Sequence, residues 1–191
     1  MLRYIKSFLE FIWEVTKVAL LSLAIILPIR YFLVQPFYVK GESMYPTFHD
    51  KDYLLIDEIS YRFREPVRGE VVVFRYPKDP SQYFIKRVIG LPGDRVVVRD
   101  GGVWVGENGG DLKKDNEPYL GSTIKTMPEA PNNTDVVLLP GQYYVMGDNR
   151  TASLDSRSFG AVTTNEIIGR IWVRGWPFDR FTVYHPGVLT N

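Results

Sequence analysis

Arg95-Val96-Val97-Val98-Arg99-Asp100-Gly101-Gly102-Val103-Trp104-Val105 carries the clearest signal of the chain's fold class. Its two valine-rich runs flank Asp100-Gly101-Gly102, a turn sequence suited to a tight β-hairpin. Outward from it, residues 53–56, 70–74 and 83–88 precede the hairpin, and residues 135–139, 142–146 and 167–174 follow it. These segments are short, rich in Val, Ile, Tyr and Phe, and bounded by Pro, Gly or Asp, so they read as strands. One short helix is expected from about Thr164, an N-cap residue type, to Ile168. The pattern predicts a mainly β domain of antiparallel, curled sheets or a partly open barrel. Residues 107–134 differ: they are rich in Gly, Asn, Pro and Lys and poor in apolar side chains. They read as an inserted flap or extended hairpin rather than a second core.

A chain of 191 residues fits one domain, with room for an anchor. Its formal net charge of +1 gives no reason to expect a nucleic-acid partner. The absence of cysteine excludes disulfides, thiolate metal sites and a cysteine nucleophile, and it does not choose a compartment. His49 and His185 are the only imidazoles, too few for most histidine metal sites, so neither a metal nor a cofactor is expected.

Residues 15–34 read VTKVALLSLAIILPIRYFLV. From Trp13 to Tyr31 an α-helix would span about 27 Å at roughly 1.5 Å per residue, close to the bilayer hydrocarbon thickness of about 30 Å. Aromatic residues stand near both ends, and Lys17 and Arg30 are placed to snorkel. A cleaved secretory signal fits less well, because Val34-Gln35-Pro36-Phe37-Tyr38 offers no pair of small residues for cleavage. A buried core helix is the other alternative, since the uninterrupted apolar run is short. The reading is a retained transmembrane anchor at 15–34, a short cytoplasmic segment at 1–14 and an extracytoplasmic β-rich domain at 35–191. Arg3, Lys6 and Lys17 give a slight basic bias to the N-terminal side, which favours a cytoplasmic N-terminus. The bilayer itself is thus an expected partner, in a single-pass cell-membrane protein.

Three clusters carry candidate chemistry. Ser43 lies in Gly41-Glu42-Ser43-Met44-Tyr45-Pro46-Thr47. Gly41 permits close backbone approach and Pro46 stiffens the turn. Such a serine suits a nucleophile beside backbone N–H groups, or is an ordinary polar turn residue. Lys86 lies in Tyr83-Phe84-Ile85-Lys86-Arg87-Val88. Alternation puts it on the face of Phe84 and Val88, with Arg87 opposite beside Tyr83 and Ile85. If the Lys86 face is buried, desolvation depresses its pKa and makes a general base. If the Arg87 face is buried, Lys86 is a solvated charge. Alternation does not choose between them. The third cluster is Gly147-Asp148-Asn149-Arg150 followed by residues 153–160, a turn-rich loop in which Asp155 and Arg157 could pair. His49 stands in a polar run with Asp50 and Asp52 and reads as surface; neither histidine is favoured as a catalytic base.

Taken together, these segments resemble bacterial type I signal peptidases, membrane-anchored serine proteases with a Ser–Lys dyad. The resemblance runs through the Ser43 heptapeptide, Arg68-Gly69-Glu70-Val71-Val72-Val73-Phe74, Lys86-Arg87-Val88-Ile89-Gly90-Leu91-Pro92-Gly93-Asp94, and the block from Gly147 to Gly160. It implies that Ser43 attacks the scissile carbonyl and that Lys86 takes its proton. It places Ser153 where a hydroxyl orients the lysine, Asp155 and Arg157 where an ion pair supports the site, and Asp148 and Arg87 at further motif positions. Some members add a serine donor to the oxyanion hole two residues before the nucleophile; Gly41 stands there instead. The implied substrates are secretory preproteins whose signal peptides carry small residues before the cleaved bond. The expected lining is Gly41, Glu42, Gln82, Tyr83, Phe84 and Ile85. Competing readings are a specialised Ser–Lys peptidase and a catalytically silent, membrane-tethered peptide-binding domain. The aromatic residues of Trp172-Val173-Arg174-Gly175-Trp176-Pro177-Phe178 are expected to pack in the core rather than touch the bilayer.

Overall fold

The computed structural model describes residues 2–32, 34–121, 123–130 and 133–185, with side chains described for 6–27 and, within those ranges, from 35 onward. A helix α1 (Leu2–Phe32) is followed by β1 (Val34–Tyr38), β2 (Tyr53–Asp57), β3 (Val71–Tyr76), β4 (Asp79–Gly90), β5 (Arg95–Arg99) and β6 (Gly102–Gly106). After them come β7 (Lys113–Lys114), β8 (Asp135–Val137), β9 (Gln142–Met146), the one-turn α2 (Ser156–Phe159), β10 (Val162–Thr163), β11 (Ile167–Trp176) and β12 (Thr182–Val183).

The hairpin expected at residues 95–105 forms. Arg99 pairs with Gly102, leaving Asp100 and Gly101 as the two turn residues, with φ of 52° and 73°. Positive φ at both central positions is what a type I′ turn requires, and glycine supplies it without strain. This hairpin is the middle of a four-stranded sheet ordered β7-β6-β5-β8. A larger eight-stranded sheet runs β1-β2-β11-β3-β4-β9-β10, with β12 added to β11. Every pairing in both sheets is antiparallel. The fold is therefore mainly β, with no closed barrel among the described residues. The helix expected near Thr164 is a single 3-10 turn, Thr164–Glu166, capped by Thr163, after which the chain enters β11 at once.

The larger sheet is covered on both faces. Along β3, Val71 and Val73 pack with Met44, Phe48, Leu54, Ile56 and Ile171. Val72 and Phe74, on the opposite face, pack with Val88, Tyr143, Val145 and Val162. A third cluster, holding Ile89, Val96, Val103, Tyr119, Leu138 and Tyr144, joins the two sheets. Strands buried on both sides lose the clean inside-outside alternation, and β3 reads as an unbroken apolar run for that reason.

Along α1, apolar side chains from Val18 to Leu27, including Leu20, Leu21, Leu23, Ile25 and Ile26, are exposed. Among the described residues, no helix is long and apolar enough to cross a membrane. The side chains of 28–34, which close the expected span, lie outside the described residues. Two further expectations are corrected. Asp52, read as surface charge, is fully buried between Arg174 at 3.6 Å and Arg180 at 3.2 Å. Trp172, Trp176 and Phe178, expected in the core, are 40%, 49% and 75% exposed.

Candidate active site

Ser43 sits in the turn after β1. Gly41 there has φ of +87° and open space where a Cβ would stand. The turn is secured from below: Met44 and Phe48 are buried in the core, each contributing about 1.5–3 kcal/mol. It is also held from the side. The Asn149 N–H donates to the Ser43 carbonyl at 3.0 Å, and Asn149 Nδ2 donates to the Glu42 carbonyl at 3.1 Å.

Lys86 comes from β4, opposite Val72 of β3. Its Nζ lies 2.8 Å from Ser43 Oγ and 2.8 Å from the Ile85 carbonyl. The Phe84 ring stands 5.3 Å from Nζ. Only 4% of Lys86 is exposed, and this burial pushes its pKa from 10.5 down to about 8, against the opposing pull of Asp155 and Asp148. Alternation had posed Lys86 and Arg87 as rivals for the buried face. Both are buried, because both faces of the sheet are covered at this point.

Arg87 is compensated by a bidentate pair with Asp148, Nε to Oδ1 at 2.8 Å and Nη2 to Oδ2 at 2.6 Å. Thr47 Oγ1 donates to the same carboxylate at 2.6 Å, and Arg87 Nη1 donates to the Gly69 carbonyl at 2.8 Å. Asp155 caps α2 and pairs with Arg157 through Nε at 2.9 Å and Nη2 at 2.8 Å. It also accepts from the Gly147 N–H at 3.1 Å. The pairing of Asp155 with Arg157 is the one their spacing suggested. Ser153 is 9% exposed and packs on Gly147, where any Cβ would collide with the Ser153 side chain and the Ser43 carbonyl. The partner of Lys86 beyond Ser43 is the Ile85 carbonyl, and Ser153 Oγ has no hydrogen bond among the described residues.

A groove of about 590 Å³ opens beside Ser43 and Lys86. Gln82, Tyr83, Phe84 and Ile85 line it, as the sequence suggested, together with Leu54, Val73 and Leu154. Gly41 and Glu42, also expected there, do not line it. Two strand edges flank the groove. Among the described residues, β1 pairs only with β2, and β4 pairs with β9 only from Arg87 onward. His49 is half-buried and sits edge-on to Tyr45 at 5.1 Å. His185 is exposed, and among the described residues neither imidazole hydrogen-bonds Ser43. Sequence reasoning gave Thr47 of the Ser43 turn, Asn149 and Arg150 no role, and it missed Glu117 and Tyr119, which reach the site from a distant segment.

The family model for "Signal peptidase, peptidase S26" matches residues 12–176. A "Probable signal peptidase I-2" from Synechocystis is 40% identical over 183 residues, covering 93% of this chain and 77% of that protein. "Signal peptidase IB" from Staphylococcus aureus is 35% identical over 190 residues, covering 92% and 93% of the two chains. A crystal structure of a signal peptidase I from Enterococcus faecalis superposes with a TM-score of 0.44 at 29% identity, covering 56% of this chain and 97% of that one. The family match and the two sequence relatives place the chain among the serine endopeptidases. It belongs to the signal peptidase family, peptidase S26, and is of the signal peptidase I type.

Proposed function

We propose that this protein removes N-terminal signal peptides from secretory preproteins at a membrane surface, with Ser43 as nucleophile and neutral Lys86 as general base. The observation that carries the reading is the 2.8 Å approach of Ser43 Oγ to a buried Lys86 Nζ. With a pKa of about 8, roughly a tenth of Lys86 is neutral at pH 7. At the ordinary 10.5 the neutral fraction would be about 300-fold smaller.

In the first step the Lys86 amine takes the Ser43 hydroxyl proton while Oγ bonds to the scissile carbonyl carbon. The carbonyl oxygen takes up the displaced electron pair, and the Ser43 backbone N–H donates to it. Gly41 supplies no side-chain donor, so the oxyanion hole rests on backbone and solvent. Collapse breaks the C–N bond, and the Lys86 ammonium protonates the leaving amine. Water, deprotonated by the same amine, then hydrolyses the acyl-serine. Asp155 with Arg157, and Asp148 with Arg87, are positioning pairs that keep the surroundings of Lys86 fixed.

The two strand edges beside the groove suit an extended substrate segment added between them, a β-augmentation mode. Apolar lining from Leu54, Val73, Ile85 and Leu154 favours small methyl-bearing side chains before the cut. The anchor of this reading is 15–34, with residues 1–14 cytoplasmic and 35–191 outside. The exposed apolar side chains of α1 and of Trp172, Trp176 and Phe178 support contact with lipid.

The test uses the full chain in detergent and a preprotein whose signal ends in Ala-X-Ala. Cleavage at that bond is expected, and its loss in both Ser43→Ala and Lys86→Ala. Full cleavage by the Lys86→Ala protein would remove the dyad from the account. Protease protection in sealed vesicles checks orientation: digestion of the 35–191 domain from the cytoplasmic side would overturn the topology.

A further inference from the structure

The geometry points to a role for the insertion at 107–134: it is a positioning element for the dyad, acting through Glu117, Tyr119 and Thr126 on two buried arginines. This inference rests on the Ser43–Lys86 reading above. The segment is poor in apolar residues, yet Tyr119 and Thr126 are 6% and 1% exposed. Both lie against the active-site loop rather than in a core of their own.

Arg150 is the joint. It belongs to the loop that starts at Gly147, and it is buried. Its Nε donates to the Gly147 carbonyl at 2.9 Å. The other two guanidinium nitrogens turn to the insertion. Nη1 donates to Thr126 Oγ1 at 2.7 Å and to Glu117 Oε2 at 3.2 Å. Nη2 pairs with Glu117 Oε1 and reaches the Tyr119 hydroxyl at 3.5 Å. Tyr119 makes the second joint: its ring lies 3.9 Å from the Arg87 guanidinium, and its hydroxyl donates to Glu117 at 3.0 Å. A third contact is through the backbone, where Arg157 Nη1 donates to the Met127 carbonyl and the Ala130 N–H to the Arg157 carbonyl, both at 3.2 Å.

These joints converge on the reacting groups. Arg87 follows Lys86 on β4. The loop fixed by Arg150 carries Asn149, which holds the Ser43 and Glu42 carbonyls, and it carries Asp148 and Ser153. A buried guanidinium is stable only while it is paired. Without the Glu117 charge, Arg150 keeps only neutral hydrogen-bond partners, and the carboxylates whose charge it already feels are Asp148 and Asp115; of these Asp148 is the one that pairs with Arg87. Drawing Asp148 towards Arg150 would loosen Arg87 beside Lys86 and shift the loop that sets Ser43. Displacements of this kind act on the chemical step, because a misplacement of about 1 Å can cost on the order of a hundredfold in rate.

The experiment compares full-chain Glu117→Gln, Glu117→Asp and Thr126→Val with wild type in detergent. It reads kcat per folded molecule and KM on the Ala-X-Ala preprotein, with the folded fraction taken from the unfolding transition. Glu117→Gln is expected to lower kcat at least about tenfold with KM within about twofold. Glu117→Asp should recover part of the loss, and Thr126→Val should lower kcat less. Asp135→Asn, in the exposed pair with Arg95 on the same small sheet, should leave kcat unchanged. The inference is overturned if both Glu117→Gln and Thr126→Val keep kcat per folded molecule within about twofold of wild type, or if Asp135→Asn lowers it equally. If Glu117→Gln does not fold, Thr126→Val decides. Activity in wild type with none in Ser43→Ala keeps the parent reading standing whatever these variants do.

Discussion

Replacing Lys86 with methionine should abolish cleavage and, at neutral pH, make the protein more stable. Methionine matches the unbranched shape of lysine and carries no charge. Holding the Lys86 ammonium in its 4%-exposed position moves its pKa from 10.5 to about 8, mainly through burial. At roughly 1.4 kcal/mol per pKa unit this is a cost of about 3 kcal/mol to the folded state. The variant also leaves Ser43 Oγ and the Ile85 carbonyl without their hydrogen bonds to Nζ, a loss of about 1 kcal/mol each. The net expectation at pH 7 is a gain of about 1 kcal/mol.

The pH dependence gives the sharper signature. Between about pH 8 and 10.5 the unfolded wild-type chain binds a proton at Lys86 that the folded chain has released. Wild-type stability therefore rises with pH through this window, and below it the full cost is present. Lys86→Met lacks the group, so its advantage should shrink by about 3 kcal/mol between pH 7 and 10.5 and change sign. Urea unfolding of both full chains in detergent across this range measures the difference. A difference that stays constant with pH would mean that Lys86 titrates alike in folded and unfolded chains, and the argument for a buried neutral base would fail.

Other outcomes follow from the same geometry. Gly147→Ala sets a Cβ into the Ser153 side chain and the Ser43 carbonyl. It should cut kcat by about a hundredfold or more, and wild-type rates would refute the packing at that point. Asp148→Asn breaks the bidentate pair with a fully buried Arg87 and should cost about 3–5 kcal/mol; an unchanged urea midpoint would contradict it. Arg95→Ala removes only an exposed pair with Asp135 and should change stability by less than about 1 kcal/mol, as read by thermal unfolding.

Much of the fold was legible because local signals agreed. The Asp100-Gly101 turn, the valine runs beside it and the strand at 142–146 fall where residue type alone put them. So does the pairing of Asp155 with Arg157, which are two residues apart. What was not legible depends on partners far along the chain. Asp52 looked solvated among polar neighbours, yet its partners Arg174 and Arg180 arrive from the far end of the domain. Period-two alternation could not choose a face for Lys86, because β4 is covered on both faces from Lys86 to Gly90. Trp172 and Trp176 carry aromatic bulk that normally signals a core, but on β11 they stand exposed among buried and half-buried neighbours. The insertion looked like a free flap because its attachment uses Glu117, Tyr119 and Thr126 rather than an apolar stripe.

The most direct measurement is the pH dependence of single-turnover acylation by an Ala-X-Ala activated ester, with the modified residue located by mass spectrometry. The expected result is an acyl group on Ser43 alone, formed at a rate that rises tenfold per pH unit and levels off near pH 8, the pKa of Lys86. A midpoint near 10.5, or an acyl group on any other residue, would contradict a Ser43 nucleophile activated by a buried, neutral Lys86.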